Sequence, residues 1–551
     1  MGRIVPTCRR MAATVLSVAA WSFATPAAAQ SMTPASCAAL TGKPIARSAI
    51  RLPTRGGTIA SAETTRVVGR EETFCKVLGR IDPVDPAAPP ILFEVNLPER
   101  WNGKYIQYGG GGLNGRLVTG LDPIRDAPPG EVQPVAQGYV TAGTDAGHPI
   151  ARPAIQVFAL NDEALTNHAY ASYVKTADVA HALMSMAYRR KPTATYFIGG
   201  SEGGREGLMF AQRYPAMFDG IVAMVPVINW AGIQLATYDH WQLQRAGGWM
   251  DAATVKLWHD TVVEACDGKD GRNDGVLADY AACRPMPALR MRRCANGQAA
   301  AGCLSSAQLA LIEAVYAPRR YKFPLANGEQ SYPGFLPGGE AQPGGVVPSI
   351  IDPQKPGPDD RADARYAVGD VRYFITRDPN FSAPLDEMAF RERILQISSL
   401  MDMTDPDLRP FFRLGGKLIV KADGADFIHS PAAITRYVDQ VAARVGPAMA
   451  NRSMRVFVAP GTNHGGQGVR GDGLPVPDRV SMLSAIDAWV RGGKAPANLT
   501  LTAYDSKGAA RTAWPLCRYP LFPRFVGGDG DQAASYRCSP PEMASTPGER
   551  R

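Results

Sequence analysis

The residues best suited to chemistry lie in one short stretch, Gly199-Gly-Ser-Glu-Gly203, which places a serine among glycines. The pattern Gly-x-Ser-x-Gly is typical of a sharp turn between a strand and a helix, where glycines leave room for neighbouring backbone. The hydroxyl of Ser201 would then stand at the carboxyl end of a sheet, above a helix N-terminus that favours negative charge. The pattern predicts a nucleophile, but in a glycine-rich chain it is equally compatible with an ordinary turn.

The flanking residues favour the nucleophile. Residues 194–198 are apolar and β-prone, and residues 204–212 have helical character until Pro215 ends it. Residues 218–226 form another apolar run, of the kind buried in a parallel sheet.

A serine nucleophile needs a histidine base. When the serine lies at a strand-to-helix turn of an α/β sheet, the triad residues follow the chain order serine, acid, histidine. Two of the seven histidines, His429 and His464, lie beyond the point where the strand pattern resumes. His464 follows a predicted strand at residues 454–459, where a loop can carry the imidazole over the serine. We therefore predict His464 as the base and give His429, at a helix start, a structural or supporting role.

The acid is expected after the preceding predicted strand, residues 415–421, where Asp423 and Asp426 are the candidates. Asp426 is favoured because it lies one loop beyond the strand, whereas Asp423 suits a turn. The predicted chemistry is acyl transfer, in which His464 takes the proton of Ser201 and Asp426 orients the imidazole.

The elements before the serine have the order expected of an α/β sheet with its active edge at the strand ends. A strand at residues 104–108 runs directly into a glycine run at residues 109–115. That run allows backbone N–H groups to turn toward an oxyanion, although a flexible loop has the same composition. A strand at residues 138–143 and a helix at residues 169–188 follow.

The character of the chain changes between residue 229 and about residue 413, where tryptophans, clustered cysteines and a Pro/Gly-rich stretch interrupt the βα rhythm. Strands and helices then resume, including a predicted helix at residues 478–491. We predict an α/β-hydrolase core with a large inserted lid domain. The predicted divisions are a signal peptide at 1–29, a catalytic domain at 30–229 and 414–551, and a lid domain at 230–413.

Composition limits the function classes. The chain has 551 residues and a net charge of +8, and the predicted leader carries three arginines and no acid, which leaves +5 after its removal. The apolar run from Met11 to Ala24 is too short to span a membrane, and cleavage is predicted after Ala29, giving a periplasmic or secreted protein. So mild a basic balance, without an arginine or lysine cluster interleaved with aromatic residues, argues against a nucleic-acid partner.

Nine cysteines fit export, because Cys8 leaves with the leader and eight remain. Eight cysteines allow 105 pairings. Their clustering along the chain favours four local disulfides: Cys37 with Cys75, Cys266 with Cys283, Cys294 with Cys303, and Cys517 with Cys538.

Seven motifs together make the chain resemble the tannase and feruloyl esterase family, which also contains the enzyme that hydrolyses mono(2-hydroxyethyl) terephthalate. The motifs are Trp101-Asn-Gly-Lys104, Asp145-Ala-Gly-His148, Gly199-Gly-Ser-Glu-Gly-Gly-Arg205, Ala211-Gln-Arg-Tyr-Pro215, Phe218-Asp-Gly-Ile-Val-Ala223, Gly415-Gly-Lys-Leu-Ile419 and Pro460-Gly-Thr-Asn-His464. The resemblance maps the family's triad onto Ser201, Asp426 and His464. It implies that the oxyanion is bound by the N–H of Glu202 and by one N–H of the glycine run, for which Gly111 is the candidate.

One departure from the family concerns two glycines. The family usually has a cysteine before the serine and another after the histidine, joined in a disulfide, whereas this chain has Gly200 and Gly465. Because both cysteines of that disulfide are absent, no unpaired thiol is left. The absence raises the question of what holds His464 in place.

An acidic stretch in the predicted lid, Cys266 to Val276, is either a solvated turn or a site for a hard cation. It lacks the spacing and the final glutamate of an EF-hand. The resemblance implies structural calcium and no organic cofactor. The implied ligands are the carboxylates of Asp267, Asp270 and Asp274 and the backbone carbonyls of Arg272 and Val276.

These observations predict a secreted serine esterase acting on esters of aromatic acids, such as hydroxycinnamic or gallic acid. The alternatives are a non-catalytic binding protein with the same fold, and a general esterase or peptidase with the same triad. The sequence gives no carboxylate-binding arginine in the lid, so terephthalate monoesters are not favoured.

Overall fold

The computed structural model describes residues 1–2, 31–150, 154–342 and 364–541. Nearly all of the predicted signal peptide therefore lies outside the described residues.

The strands are numbered in chain order. They are β1 (Pro44–Ile45), β2 (Gly56–Arg66), β3 (Thr73–Asp82), β4 (Ile91–Pro98), β5 (Lys104–Tyr108), β6 (Val140–Thr144), β7 (Ala194–Gly200), β8 (Gly220–Met224), β9 (Arg319–Arg320), β10 (Ser331–Tyr332), β11 (Lys417–Asp423), β12 (Met454–Ala459), β13 (Leu499–Tyr504), β14 (Ala510–Leu516), β15 (Phe522–Phe525) and β16 (Tyr536–Ser539).

Ten of these strands form one mixed sheet in the order β1-β2-β3-β4-β6-β5-β7-β8-β11-β12. The pairs from β1 to β4, and the pair β4–β6, are antiparallel. The pairs from β6 across to β12 are parallel. Since parallel strands end at one edge, the loops after β5, β7, β11 and β12 meet there.

The helices also follow chain order. They are α1 (Pro34–Ala38), α2 (Asp162–Thr166), α3 (Ser172–Tyr188), α4 (Glu202–Arg213), α5 (Trp230–Leu243), α6 (Ala252–Cys266), α7 (Met286–Met291), α8 (Ser306–Tyr316), α9 (Arg391–Met401), α10 (Arg409–Arg413), α11 (Pro431–Val445), α12 (Pro447–Ser453) and α13 (Met482–Gly492). None of the helices in the described ranges is long and apolar enough to cross a membrane.

Helices cover both faces of the parallel half of the sheet. Phe197 and Ile221 pack in one core with α3, α4 and α11, whereas their neighbours Tyr196 and Val222 pack in another with α13. Side chains alternate across a strand, so both faces of β7 and β8 are buried, and the strands read as continuous apolar runs. The arrangement confirms the predicted α/β fold.

The segment between β8 and β11 leaves the sheet and returns to it, because these two strands are direct parallel neighbours. Its described residues add no strand to the ten-stranded sheet and supply most of two separate apolar cores. The predicted lid domain, residues 230–413, falls within this segment, and its boundaries stay a prediction.

One predicted helix was wrong at its start. The helix predicted over residues 478–491 begins at Met482, because the preceding backbone makes other contacts. Arg479 bridges to Thr502, and the N–H of Val480 donates to the carbonyl of Asp126 at 2.7 Å.

Four disulfides join the eight cysteines that follow Cys8 in the chain, in the pairs expected from their clustering. They are Cys37–Cys75, Cys266–Cys283, Cys294–Cys303 and Cys517–Cys538.

Candidate active site

Ser201 occupies the elbow between β7 and α4, with φ of 61° and ψ of −120°. This conformation is unusual for a residue with a side chain and marks local strain. The turn is tight, because a Cβ atom on Gly199 would lie 2.4 Å from the carbonyl oxygen of Gly203. Glycine at these positions is therefore a steric requirement of the turn.

The glycine run after β5 packs directly against this elbow. A Cβ atom on Gly203 would lie 2.6 Å from the carbonyl oxygen of Gly110, and one on Gly109 would lie 2.7 Å from the Cα of Gly203. Two backbones in such close contact hold the glycine run in a fixed position beside Ser201.

A hydrogen-bonded chain connects the three residues predicted as the triad. His464 Nε2 lies 2.8 Å from Ser201 Oγ, and His464 Nδ1 lies 2.7 Å from Asp426 Oδ2. The three side chains come from the loops after β12, β7 and β11, at the common edge of the sheet.

The carboxylate of Asp426 is buried and fully engaged. Besides the bond to His464, its Oδ1 accepts the backbone N–H groups of Ile428 at 2.8 Å and His429 at 3.0 Å. Phe427 and Ile428, in the same loop, line the cleft above Ser201. The loop that fixes the acid therefore also forms part of the cleft wall.

Asp423 and His429, the alternatives to the predicted acid and base, make contacts outside the triad. Asp423 is buried at the end of β11, where it bonds to Lys421 and accepts from Thr462 Oγ1 at 3.0 Å. His429 Nε2 accepts the N–H of Ile228 at 3.0 Å, and burial lowers the pKa of His429 to about 3. A neutral His429 thus supports the wall behind Asp426.

The predicted oxyanion donors, Glu202 and Gly111, both line the cleft beside Ser201. Glu202 begins α4, where the first N–H groups of a helix lack helical acceptors. In the glycine run, the N–H of Gly109 donates to Ile198 and that of Gly110 to Glu206, whereas the described residues offer no acceptor to the N–H of Gly111. The N–H of Gly111, unlike those of Gly109 and Gly110, is thus open to an oxyanion.

Glu206 is a supporting residue that the sequence reasoning missed. Its carboxylate accepts the N–H of Gly110 at 3.1 Å and the amide of Asn114 at 2.8 Å, so it fixes the glycine run from below. Burial and the charge of Glu202 raise the pKa of Glu206 to about 7. Its spacing of one helical turn from Glu202, on the buried side of α4, is the signal that identifies it.

The site of the missing family disulfide contains another residue that no motif indicated. The side chain of Arg125 lies over Gly200, where a Cβ atom would meet Arg125 Cδ at 2.7 Å. Its Nη2 donates to the main-chain carbonyl of His464, the residue before Gly465.

A cleft of about 800 Å³ lies over Ser201. The segment between β8 and β11 contributes Trp230, Ile233, Gln234 and Tyr366 to its wall, and the core contributes Tyr108 and Phe427. The wall is mainly apolar and aromatic, as in sites that bind small organic molecules.

The acidic loop implied as a calcium site lies apart from this cleft, after α6. Burial raises the pKa of Asp267 and Asp274, and burial with the neighbouring carboxylates raises that of Asp270 to about 7. Asp267 Oδ1 is buried without a hydrogen-bond partner. Arg272 turns outward to the carbonyl of Gly530 at 2.9 Å, with one contact of 3.2 Å to Asp274.

Within the described ranges, no three histidine, cysteine or acidic side chains converge into a metal cage. The surplus of negative charge and the partnerless oxygen of Asp267 nevertheless fit a hard cation, which oxygen ligands bind by preference. The implied carbonyl ligands, Arg272 and Val276, lie in the same loop.

A mixed sheet whose parallel half is covered by helices on both faces, with a serine at a strand-to-helix elbow, defines an α/β-hydrolase. The chain belongs to the tannase and feruloyl esterase family, whose pattern it matches over residues 75–539.

Its relatives are esterases of similar length. A protein named as an uncharacterized esterase of Agrobacterium fabrum is 35% identical, over 91% of this chain and 93% of that one. A probable feruloyl esterase of Arthroderma benhamiae is 30% identical over 80% and 81% of the two chains. The mono(2-hydroxyethyl) terephthalate hydrolase of Piscinibacter sakaiensis is 28% identical over 96% and 89%.

Solved structures agree on the fold. Feruloyl esterase B from Aspergillus oryzae superposes with a TM-score of 0.74 at 22% identity, covering 92% of this chain and all of that one. A tannin acyl hydrolase from Aspergillus niger gives a TM-score of 0.60 at 19% identity, with 92% and 95% covered. Family and relatives together make this protein a carboxylic ester hydrolase.

Proposed function

We propose that the protein is an exported serine esterase that hydrolyses esters of aromatic carboxylic acids. The observation that carries the catalytic part is the continuous hydrogen-bonded chain from Asp426 through His464 to Ser201 at a strained elbow. A nucleophile, a base in contact with it and an acid in contact with the base are the parts that acyl transfer requires.

In the proposed mechanism, Ser201 Oγ attacks the acyl carbon while His464 Nε2 takes its proton. The N–H groups of Glu202 and Gly111 bind the oxyanion of the tetrahedral intermediate. His464 then gives the proton to the leaving alcohol, and an acyl-enzyme remains. A water molecule, deprotonated by His464, attacks the acyl-enzyme, and His464 returns that proton to Ser201 Oγ as the acid leaves. Asp426 keeps Nδ1 protonated throughout.

The proposal of an aromatic acyl group rests on the wall of the cleft and on the names of the relatives. Tyr108, Trp230 and Phe427 offer aromatic surface within one cavity. Aromatic rings pack well against such surfaces in offset or edge-to-face geometry. Two relatives carry names that specify esters of aromatic acids, feruloyl and terephthalate.

Covalent labelling with a fluorophosphonate probe tests the catalytic assignment. We expect one labelled serine in the wild-type chain, loss of labelling in Ser201→Ala, and loss of ester hydrolysis in the same variant. Labelling that persists in Ser201→Ala would refute the assignment, and a protein that neither labels nor hydrolyses any ester would be a binding protein.

The acyl preference is tested by comparing methyl ferulate, methyl gallate, methyl hexanoate and p-nitrophenyl acetate at equal enzyme concentration. We expect kcat/KM for at least one aromatic methyl ester to exceed that for methyl hexanoate by about 100-fold, because pocket contacts set such ratios. Equal rates on all esters, or cleavage of peptides, would indicate a general hydrolase.

We also propose that the protein is exported and binds structural calcium. Four disulfides in the described residues support an oxidising compartment. Asp267, Asp270 and Asp274, with the carbonyls of Arg272 and Val276, would hold the ion. Bound calcium would neutralise the crowded carboxylates of this loop and takes no part in the proposed chemistry. N-terminal sequencing of the protein from the periplasm or medium tests cleavage after Ala29.

A further inference from the structure

The main chain of His464 needs a support beyond its imidazole contacts. His464 lies in a turn closed by its own residues, in which the N–H of Gly466 donates to the carbonyl of Asn463 at 2.8 Å. From outside this turn, the guanidinium of Arg125 reaches across and donates through Nη2 to the carbonyl of His464. This contact acts on the backbone that carries the base.

The same arginine also rests on the elbow. Its Cδ and Nη1 lie 2.7 Å and 3.0 Å from the place that a Cβ atom on Gly200 would occupy. Gly200 directly precedes Ser201, so one side chain spans the segment of the nucleophile and the segment of the base. A larger residue at position 200 would push this side chain away from the elbow.

Buried charges fix Arg125 in this place. Its Nε lies 3.7 Å from Asp126 Oδ1, and its Nη2 lies 4.0 Å from Asp423 Oδ2. Both carboxylates are bound in turn by the fully buried ammonium group of Lys421. The guanidinium is thus attracted on its inner side by two buried carboxylates, at distances of 3.7 and 4.0 Å that are ion-pair contacts and not hydrogen bonds.

We propose that Arg125 is a positioning residue that clamps the His464 turn to the Ser201 elbow. The inference rests on the proposed function and adds to it a residue outside the triad. Arg125 holds the backbone of the base so that Nε2 stays within hydrogen-bond reach of Oγ. It has no part in proton transfer, and its loss changes the alignment of the reacting groups.

Three substitutions at position 125 separate this role from others. Arg125→Met keeps the length of the stem but removes the donor and the charge. Arg125→Lys keeps a charged donor, and Arg125→Ala removes the side chain. Arg455→Met is the matched control, since Arg455 is a buried arginine at the opposite end of β12 that donates to the carbonyl of Pro496 at 2.8 Å.

The rate of labelling by a fluorophosphonate probe and the kcat and KM for p-nitrophenyl acetate are measured on each folded variant. We expect Arg125→Met to lower the labelling rate and kcat about 10- to 100-fold, because small misplacements of reacting groups have effects of this size. KM is expected to stay within about threefold, and Arg125→Lys to recover part of the loss. Arg455→Met is expected to lower the Tm and leave the labelling rate within about twofold.

The contact with Gly200 gives a second test. Gly200→Ala is expected to slow labelling in the wild-type chain and to have no further effect in Arg125→Ala, because coupled sites are non-additive. This cycle compares rates only and remains informative if Arg125→Met folds poorly.

Three results would overturn the proposal: labelling of Arg125→Met at the wild-type rate, a change confined to KM, or additive effects in the Gly200 cycle. A change confined to KM would mean that Arg125 binds substrate. Failure of the triad itself is distinguished by Ser201→Ala, which would then keep its label whatever residue stands at position 125.

Discussion

Asp426 and the acidic loop after α6 differ in how completely the charge of their buried carboxylates is compensated. Asp426 has a donor for each oxygen, from His464 on one side and from the N–H groups of Ile428 and His429 on the other. In the acidic loop, Asp270 also accepts a backbone N–H at each oxygen, but burial and the charges of Asp274 and Asp267 still raise its pKa. Asp267 retains a buried oxygen without a partner.

The difference separates a site whose negative charge is compensated by the protein from one whose negative charge is compensated only in part. A buried carboxylate with its full set of hydrogen bonds needs nothing further, because its charge is already compensated. Carboxylates that raise one another's pKa lack such compensation, and a proton or a cation can supply it. The first region is therefore expected to respond to mutation through activity, and the second through metal and pH.

The largest effect is expected from Asp426→Asn. Loss of the carboxylate removes the group that orients His464, and such a change in a serine triad lowers kcat by about 10⁴-fold. Steady-state hydrolysis of p-nitrophenyl acetate measures it. Asp423→Asn is the comparison, and it is expected to lower the Tm through the Lys421 pair while kcat falls by less than about tenfold. Equal losses in the two variants would mean that the acid had been wrongly chosen.

Calcium removal is expected to act on stability. With calcium at about 1,000 times its Kd, chelation should lower the free energy of unfolding by about 4 kcal/mol. Thermal melts in EDTA and in excess calcium measure the shift, with Asp270→Asn as the variant that should lose it. Identical melting curves in the two buffers, together with elemental analysis free of calcium, would remove the metal assignment.

The pH dependence of stability in EDTA gives the next effect. Asp270 has a folded pKa of about 7 against an ordinary value of 3.8, so its native state holds a proton that the unfolded chain has released. The free energy of unfolding should therefore fall as pH rises from about 4 to 7, by about 2 to 4 kcal/mol from this group. Urea titrations at several pH values in this range give the free energy of unfolding. Its dependence on pH should be shallower in Asp270→Asn than in the wild-type chain. An unchanged slope in that variant would contradict the assigned pKa.

The smallest effect is expected from Arg272→Met. Arg272 is the cation beside Asp274, and its loss leaves the loop with more uncompensated charge. The difference in stability between calcium and EDTA should then widen by about 1 kcal/mol. Arg436→Met serves as the control, because Arg436 forms its salt bridge with Glu329, outside the acidic loop. This variant should leave the difference in stability between calcium and EDTA unchanged.

The sequence was sufficient for features set by local pattern. The strands around Ser201 were predicted because both faces are buried and the residues are uniformly apolar. Gly199 and Gly203 were identified because a sharp turn leaves no room for side chains. The choice of His464 and Asp426 followed from chain order, and in the structure His464 bonds to Ser201 on one side and to Asp426 on the other.

The remaining features depend on contacts between distant segments. Arg125 and Glu206 carry no motif, and their importance arises where the loop after β5 meets the elbow and the His464 turn. The start of α13 was misplaced for a similar reason, since Val480 fits a helical apolar face but is held extended by the carbonyl of Asp126. Periodicity cannot register such competing tertiary contacts.

The Asp426 loop both fixes the catalytic acid and lines the cleft, and this has a consequence for the evolution of substrate range. Phe427 and Ile428 face the cleft, and the backbone of Ile428 also donates to the acid. A substitution that reshapes the cavity at these two positions therefore perturbs the catalytic machinery as well. New specificities should arise more readily from Trp230, Ile233 and Gln234 on α5, where pocket shape can vary while the hydrogen bonds of the triad stay in place.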